Sequence, residues 1–366
     1  MQNLAALPQV RSTPAQLPAA WYLDPRIFAR EKQLLFDAGP GYVGHELMAP
    51  EPGDYHTLAW MDHARVLVRN ASGVELLSNV CRHRQSIMLE GRGSVRNIVC
   101  PVHRWTYDLK GELLGAPLFE EAPCVRLEST PLARWNGLLF AGPRDARRDL
   151  AGMLRGADFD FSGYRLDRVQ IDDYACNWKT FIEVYLEVYH VDFYHPGLGN
   201  FTDCNNFYVE YGERHSVQVV SAKKGLTAPG TPAYRRWQEA CLARLAGATP
   251  NYGALWATYY PGVMLEWYPN VLVVSSLIPR SPELTTNVVE FYYPEEIVHF
   301  EREFVEAQQA AYAETAREDD EICRRMDRGR KALWLQGRED AGPYQSPMED
   351  AMRHFHEWVR RELGAT

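Results

Sequence analysis

Two short stretches constrain this chain more than any other feature: Cys81-Arg82-His83 and, sixteen residues beyond the first pair, Cys100-Pro101-Val102-His103. Each loop offers one thiol and one imidazole. A lone Cys or His in a β-rich region is more often a packing residue, but four of them in two close pairs are hard to dismiss. If they act together, flanking strands must hold the two loops side by side. The flanks have that character. After Gly39-Pro40, short β-branched segments alternate with Gly, Pro and Asp turns, and "RVLVRNASGVELLSNV" predicts a hairpin turning at Asn70 to Gly73. This texture runs to about Pro143, so the paired loops lie inside a small all-β domain of residues 40–143.

The pairing suggests a metal. Zinc is the serious rival, yet zinc fingers group ligands as C-x-x-C and H-x-x-x-H. Here each loop gives a Cys and then a His. That division suits a Rieske 2Fe–2S centre, with two thiolates on one iron and two imidazoles on the other. Pro101 stiffens the second loop, Trp105 and Tyr107 are placed to shield a cluster, and Gly111 to turn the chain back into a strand.

A chain of 366 residues is long for one such domain. Ahead of it, "DPRIFAREKQLLF" predicts a helix with Asp24 as N-cap and Pro25 at the first position. Residues 144–163 read as a charged linker. Residues 164–366 are mixed: a helix over 177–189, strands over 205–225 and 255–293, a long helix over about 295–333 and a last helix in "MEDAMRHFHEWVRREL". Strands together and helices at the ends predict α+β architecture.

Within "NWKTFIEVYLEVYHVDFYHPG", Phe181, Val184/Tyr185 and Val188 form an apolar stripe, while Glu183, Glu187 and His190 share another side of the same helix. His195 follows His190 by five residues, an offset of roughly 140° on a regular helix. The chain must distort or end its helix there to aim both rings at one point, and Pro196-Gly197 fits an ending. Two histidines and a carboxylate make the facial triad of a non-haem Fe(II) oxygenase.

These motifs together resemble the α-subunits of Rieske non-haem iron oxygenases, the aromatic-ring-hydroxylating dioxygenase family, along nearly the whole chain. C-x-H-R and C-P-x-H-x-W-x-Y match its cluster signature, with Gln85 where many members have Gly. The resemblance implies that Cys81, His83, Cys100 and His103 hold the 2Fe–2S cluster and that His190 and His195 bind the mononuclear iron. It places the third ligand at Asp319, in the register Glu318-Asp319-x-x-Ile322-Cys323, with Asp320 as the register alternative. Glu187 takes the position of the carboxylate that links a neighbouring subunit's cluster histidine to a histidine at the iron. Glu there resembles the branch of choline, glycine betaine and carnitine oxygenases, although Val184 stands where that branch has Asn. The implied fold is an all-β Rieske domain plus a helix-grip (START/Bet v1-like) catalytic domain of residues 164–366, with the helical segment 1–39 packing on the latter. The implied partners are a reductase fed by NAD(P)H, with or without a ferredoxin, and two further copies in a homotrimer.

The resemblance leaves the substrate open between an aromatic compound, as in aromatic hydrocarbon catabolism, and a small quaternary amine. The reaction is equally open between monooxygenation, dioxygenation and demethylation. Most of the aromatics in "LWATYYPGVMLEWYPNVLVVSSLIP" read as core and cross-strand pairs. A net charge of −9 argues against a nucleic-acid surface. With no basic-then-apolar leader and no apolar stretch near membrane length, the sequence predicts a cytoplasmic protein. The alternative of another class is a non-catalytic electron carrier or zinc protein on a ligand-binding scaffold.

Overall fold

The computed structural model describes residues 15–121, 123–153 and 161–364. Residues 1–14 of the helical N-terminal segment and 154–160 of the linker lie outside them. The described residues divide into two compact units. The first runs up to Leu35, resumes over Asp172–Asn287 and continues from Phe300; the second comprises Phe36–Ile171 and Val288–His299.

The second unit carries the paired loops. A five-stranded sheet has the order Arg92–Ser94, Asp54–Thr57, Arg65–Asn70, Gly73–Ser78, Ser129–Thr130, and a three-stranded sheet joins Ile98–Val99, Thr106–Tyr107 and Leu113–Gly115. The hairpin places Asn70 opposite Gly73. The Asn70 side chain accepts a 2.7 Å hydrogen bond from the Ser72 amide, and Gly73 takes a φ of 132° that a side chain would strain. Val66, Val68, Leu77, Ile98, Tyr107 and Leu127 form the core, and Cys81, Cys100 and Trp105 are part of it.

The first unit is built on an antiparallel sheet ordered Val271–Ser281, Val263–Tyr268, Ala254–Tyr259, His215–Ala222, Thr202–Tyr211. The division between units falls within two further strands, Tyr164–Tyr174 and Leu284–Pro294. Helix Arg302–Leu335 packs on helices Pro232–Arg244 and Trp178–Leu186. The single helix expected over 295–333 is two, Glu295–Phe300 and Arg302–Leu335, broken at Glu301.

The start of the motif-bearing helix is fixed residue by residue. Asn177 caps Trp178–Leu186, accepting from the Lys179 amide at 3.0 Å, and its amide nitrogen donates to the Tyr22 and Pro282 carbonyls at 2.9 Å each. Trp178 Nε1 and Lys179 Nζ both donate to the buried Glu31, at 2.9 and 2.6 Å. Glu31 ends helix Pro25–Glu31, which is capped by Asp24 as the sequence predicts. Glu183, expected on the same side as Glu187 and His190, instead points into a buried ionic cluster. It accepts from Tyr22, from Arg330 at 2.6 Å and from His356 at 2.9 Å. Arg330 also pairs with Asp327 at 3.2 Å, and Asp327 accepts from Thr180 at 2.6 Å. Burial works against the Glu183 charge, but Arg330 and His356 override it and hold the carboxyl at about 2.

Candidate metal centres

The two loops of the β-domain share one backbone pattern. The Cys81 and Cys100 amides donate to the carbonyls five residues on, Ser86 at 2.9 Å and Trp105 at 2.8 Å. The amides four residues on, of Gln85 and Arg104, donate back to the Cys81 and Cys100 carbonyls at 3.0 and 3.1 Å. Gln85 and Arg104 both have a φ of 61°. Gln85 therefore holds the left-handed conformation for which Gly is suited, and its side chain is exposed. Gln85→Gly should leave the cluster spectrum and iron content unchanged, while Gln85→Val, β-branched at positive φ, should lower the domain's stability by about 1–2 kcal/mol and reduce cluster occupancy. Thermal melts followed at the cluster's visible absorption check both.

The loops bring the four residues around one cavity, lined by Cys81, His83, Cys100 and His103. Both cysteines are free and buried, and His103 lies on the exposed side. The imidazoles sit 4.6 Å apart between centroids, and His83 stacks on Trp105 at 4.9 Å. The buried Nδ1 of His83 has no hydrogen-bond partner among the described residues. A buried imidazole nitrogen without a partner, on a residue that lines the same cavity as two thiols, fits a cluster ligand. Tyr107 lies 3.6 Å from the Cys81 sulfur and accepts from the Arg82 amide at 3.1 Å.

In the first unit, helix Trp178–Leu186 ends earlier than the sequence suggests. Glu187 is its extended C-cap, and a separate short helix, Val191–Tyr194, turns the chain between the two histidines. This break aims both rings at one point. His190 Nε2 and His195 Nε2 are 3.0 Å apart, and Asp319 Oδ1 stands 3.7 Å from the first and 3.0 Å from the second. Among the described residues this is the group whose donor atoms converge, all within 4.8 Å. Asp319 occupies the third corner. Asp320 is outside this group and pairs with Arg324 at 2.6 Å.

The outer nitrogens of both rings are held by carboxylates. Glu187 bonds His190 Nδ1 and accepts from the His190 amide at 3.1 Å. Glu318 lies 2.7 Å from His195 Nδ1, a role the sequence reading did not give it. Such outer carboxylates fix the tautomer that presents Nε2 as a ligand. Burial disfavours charge on His190, yet Asp319 and Glu187 push it up to about 10, and Asp319 with Glu318 raises His195 likewise. Two imidazole nitrogens and a carboxylate oxygen converging on one point, with the outer ring nitrogens held, is an arrangement that a divalent ion would suit.

A cavity of about 80 Å³ opens beside this group. Phe181, Val184 and Tyr185 of the motif helix line it, with Tyr234 and Trp237 from helix Pro232–Arg244 and Trp256, Met264, Glu266 and Tyr268 from the sheet. Tyr259 and Tyr260 are buried elsewhere, as the core reading expected; Trp256 and Tyr268 are not simply core.

Residues 158–365 match the catalytic domain of the ring-hydroxylating α-subunit, and residues 42–129 match the Rieske [2Fe-2S] domain. The chain is a Rieske oxygenase α-subunit. It is 62% identical to putrescine 2-hydroxylase of Ralstonia nicotianae, over 99% of this chain and all of that protein, and 52% identical to putrescine 2-hydroxylase of Bordetella bronchiseptica, over the whole chain and 89% of that protein. The quaternary ammonium Rieske monooxygenase CntA shares the fold at a TM-score of 0.75 and 19% identity, covering 96% of each chain. The oxygenase thus combines an all-β Rieske domain with a catalytic domain. Its cofactors are a 2Fe–2S cluster and non-haem iron, supplied with NAD(P)H-derived electrons through a reductase. A non-catalytic electron carrier or zinc protein finds no support. No helix among the described residues is long and apolar enough to cross a membrane.

Proposed function

We propose that this oxygenase hydroxylates putrescine, or a closely similar short aliphatic diamine, at carbon 2. High identity along the full length of a protein bearing that activity carries the reading. It replaces the aromatic or quaternary-amine substrate suggested by the motifs with a primary diamine. The reaction balances as diamine, O2, NAD(P)H and a proton giving hydroxydiamine, water and NAD(P)+. One C–H bond is replaced by C–OH, and the second oxygen atom leaves as water.

Cys81 and Cys100 hold one iron of the cluster, and His83 and His103 the other. His190, His195 and Asp319 hold the mononuclear iron, which when bound supplies the site of O2 activation. Glu318 orients His195. The aromatic walls of the cavity exclude water and position the substrate chain. Glu187 orients His190 and, in a homotrimer, links it to a cluster histidine of the neighbouring subunit. Val102, Leu118 and Phe119, exposed and apolar beside the cluster, and Tyr189 and Phe193, exposed beside Glu187, are surfaces suited to such contacts.

Oxygen uptake with a reconstituted reductase tests the reading. Putrescine should drive uptake with one equivalent of 2-hydroxyputrescine formed, whereas benzoate and glycine betaine should not. Glu187→Gln should keep both metals and lose about 10–100-fold in turnover. Full, coupled turnover in that variant would remove the bridging role.

A further inference from the structure

The cavity contains a carboxylate that the metal centre does not use. Glu266 lies on strand Val263–Tyr268, whose alternation turns Met264, Glu266 and Tyr268 to the cavity side. Trp256 is its cross-strand partner. Trp256 Nε1 donates to the Tyr268 hydroxyl at 3.0 Å, and that hydroxyl donates to Glu266 Oε2 at 2.7 Å. This relay fixes the carboxylate through Oε2, and Glu266 lines the cavity. Tyr234 and Trp237 complete an aromatic wall, with Trp237 and Tyr268 edge to face at 5.1 Å.

We propose that Glu266 is the ammonium-binding residue of the substrate cavity and that it selects a primary ammonium over a quaternary one. A carboxylate only accepts hydrogen bonds, so a ligand group that meets Glu266 in the cavity must be a donor. A protonated primary amine brings three N–H donors and a charge; a trimethylammonium brings the charge alone. The aromatic wall attracts either cation, so the carboxylate makes the distinction. Burial pushes Glu266 up to about 7 against the Tyr268 hydrogen bond, and a cation bound beside it favours the charged carboxylate. The inference deepens the diamine reading and rests on it for the substrate's class.

Calorimetric titration of the holoenzyme, as isolated, with putrescine, its bis-quaternary derivative trimethylated at both nitrogens, and 1,4-butanediol provides the test, run beside turnover of the wild type. The wild type should bind putrescine more tightly than the bis-quaternary derivative. Glu266→Gln should weaken putrescine about ten- to a hundredfold, the size of a lost charge-assisted hydrogen bond, and abolish that preference, with cluster spectrum and iron content unchanged. Glu266→Asp, which keeps the charge, should retain part of the preference, and it decides the matter if the Gln variant does not fold. Unchanged putrescine affinity or an unchanged preference in the folded variants overturns the role of Glu266, and the diamine reading stands if the wild type still hydroxylates putrescine. Glu266-dependent binding of putrescine without its hydroxylation overturns the diamine reading and leaves the ammonium site. A wild type that binds neither amine overturns both.

Discussion

Replacing Asp319 with alanine is expected to give a folded, coloured and inactive protein. Its oxygen is the donor that faces both Nε2 atoms, at 3.7 and 3.0 Å. Without it, two imidazoles remain, with no anionic ligand to balance a divalent ion. Loss of an outer-shell partner typically costs about 10–100-fold in metal affinity or activity, and loss of a ligand should exceed that. Iron should fall from about three to about two per chain, because the cluster is untouched. Asp320→Ala is the matched control. Its partner Arg324 is half exposed, such pairs contribute no more than about 1 kcal/mol, and iron and turnover should stay at wild-type values. The reverse outcome would move the ligand one residue along the helix.

Arg330→Met should be the most destabilising substitution in the buried ionic cluster. It leaves Glu183, fully enclosed, with Tyr22 and His356 but without its cation. Breaking a buried pair from one side costs about 3–5 kcal/mol. The pH dependence has a defined sign. Glu183 is held at about 2 in the folded protein, below the ordinary value of about 4.3. Its contribution is therefore complete above about 4.3 and is lost as pH falls toward 2. Melting temperatures at pH 7 and pH 3 should differ strongly in the wild type and much less in the variant. Lys331→Met, which breaks a half-exposed pair with Glu283, should change little at either pH.

Much of the site is legible in the sequence because its signals are local. The Cys–His pairs, which line one cavity, are recognisable within a few residues each. Asp319 is legible through Ile322 and Cys323, since these pack with Tyr174, Cys176 and Val184 and so set the rotation of their helix. Three features are not legible. Glu183 has the i, i+4 spacing to Glu187 that suggests a shared face, but the helix ends at Leu186 and the two carboxylates part. Glu318 reads as one more acid in a charged run until His195 arrives from another element. Glu266 reads as an ordinary polar residue of an alternating strand, and only the pairing with Trp256 and the closure of helices over that face make it a cavity residue.

Helix Arg302–Leu335 carries Asp319, Cys323, Asp327 and Arg330 along one inward stripe, joining the metal group to the ionic cluster, while Arg317, Glu321, Arg324, Arg325 and Arg328 face outward. At about 1.5 Å and 100° per residue, the helix works as a ruler between the two. Its outer face is open to substitution, yet its length between Asp319 and Arg330 is not open to change. One inserted residue would swing one end of the stripe by about 100° relative to the other. The segment that looks most permissive by charge is thus among the least permissive to insertion or deletion.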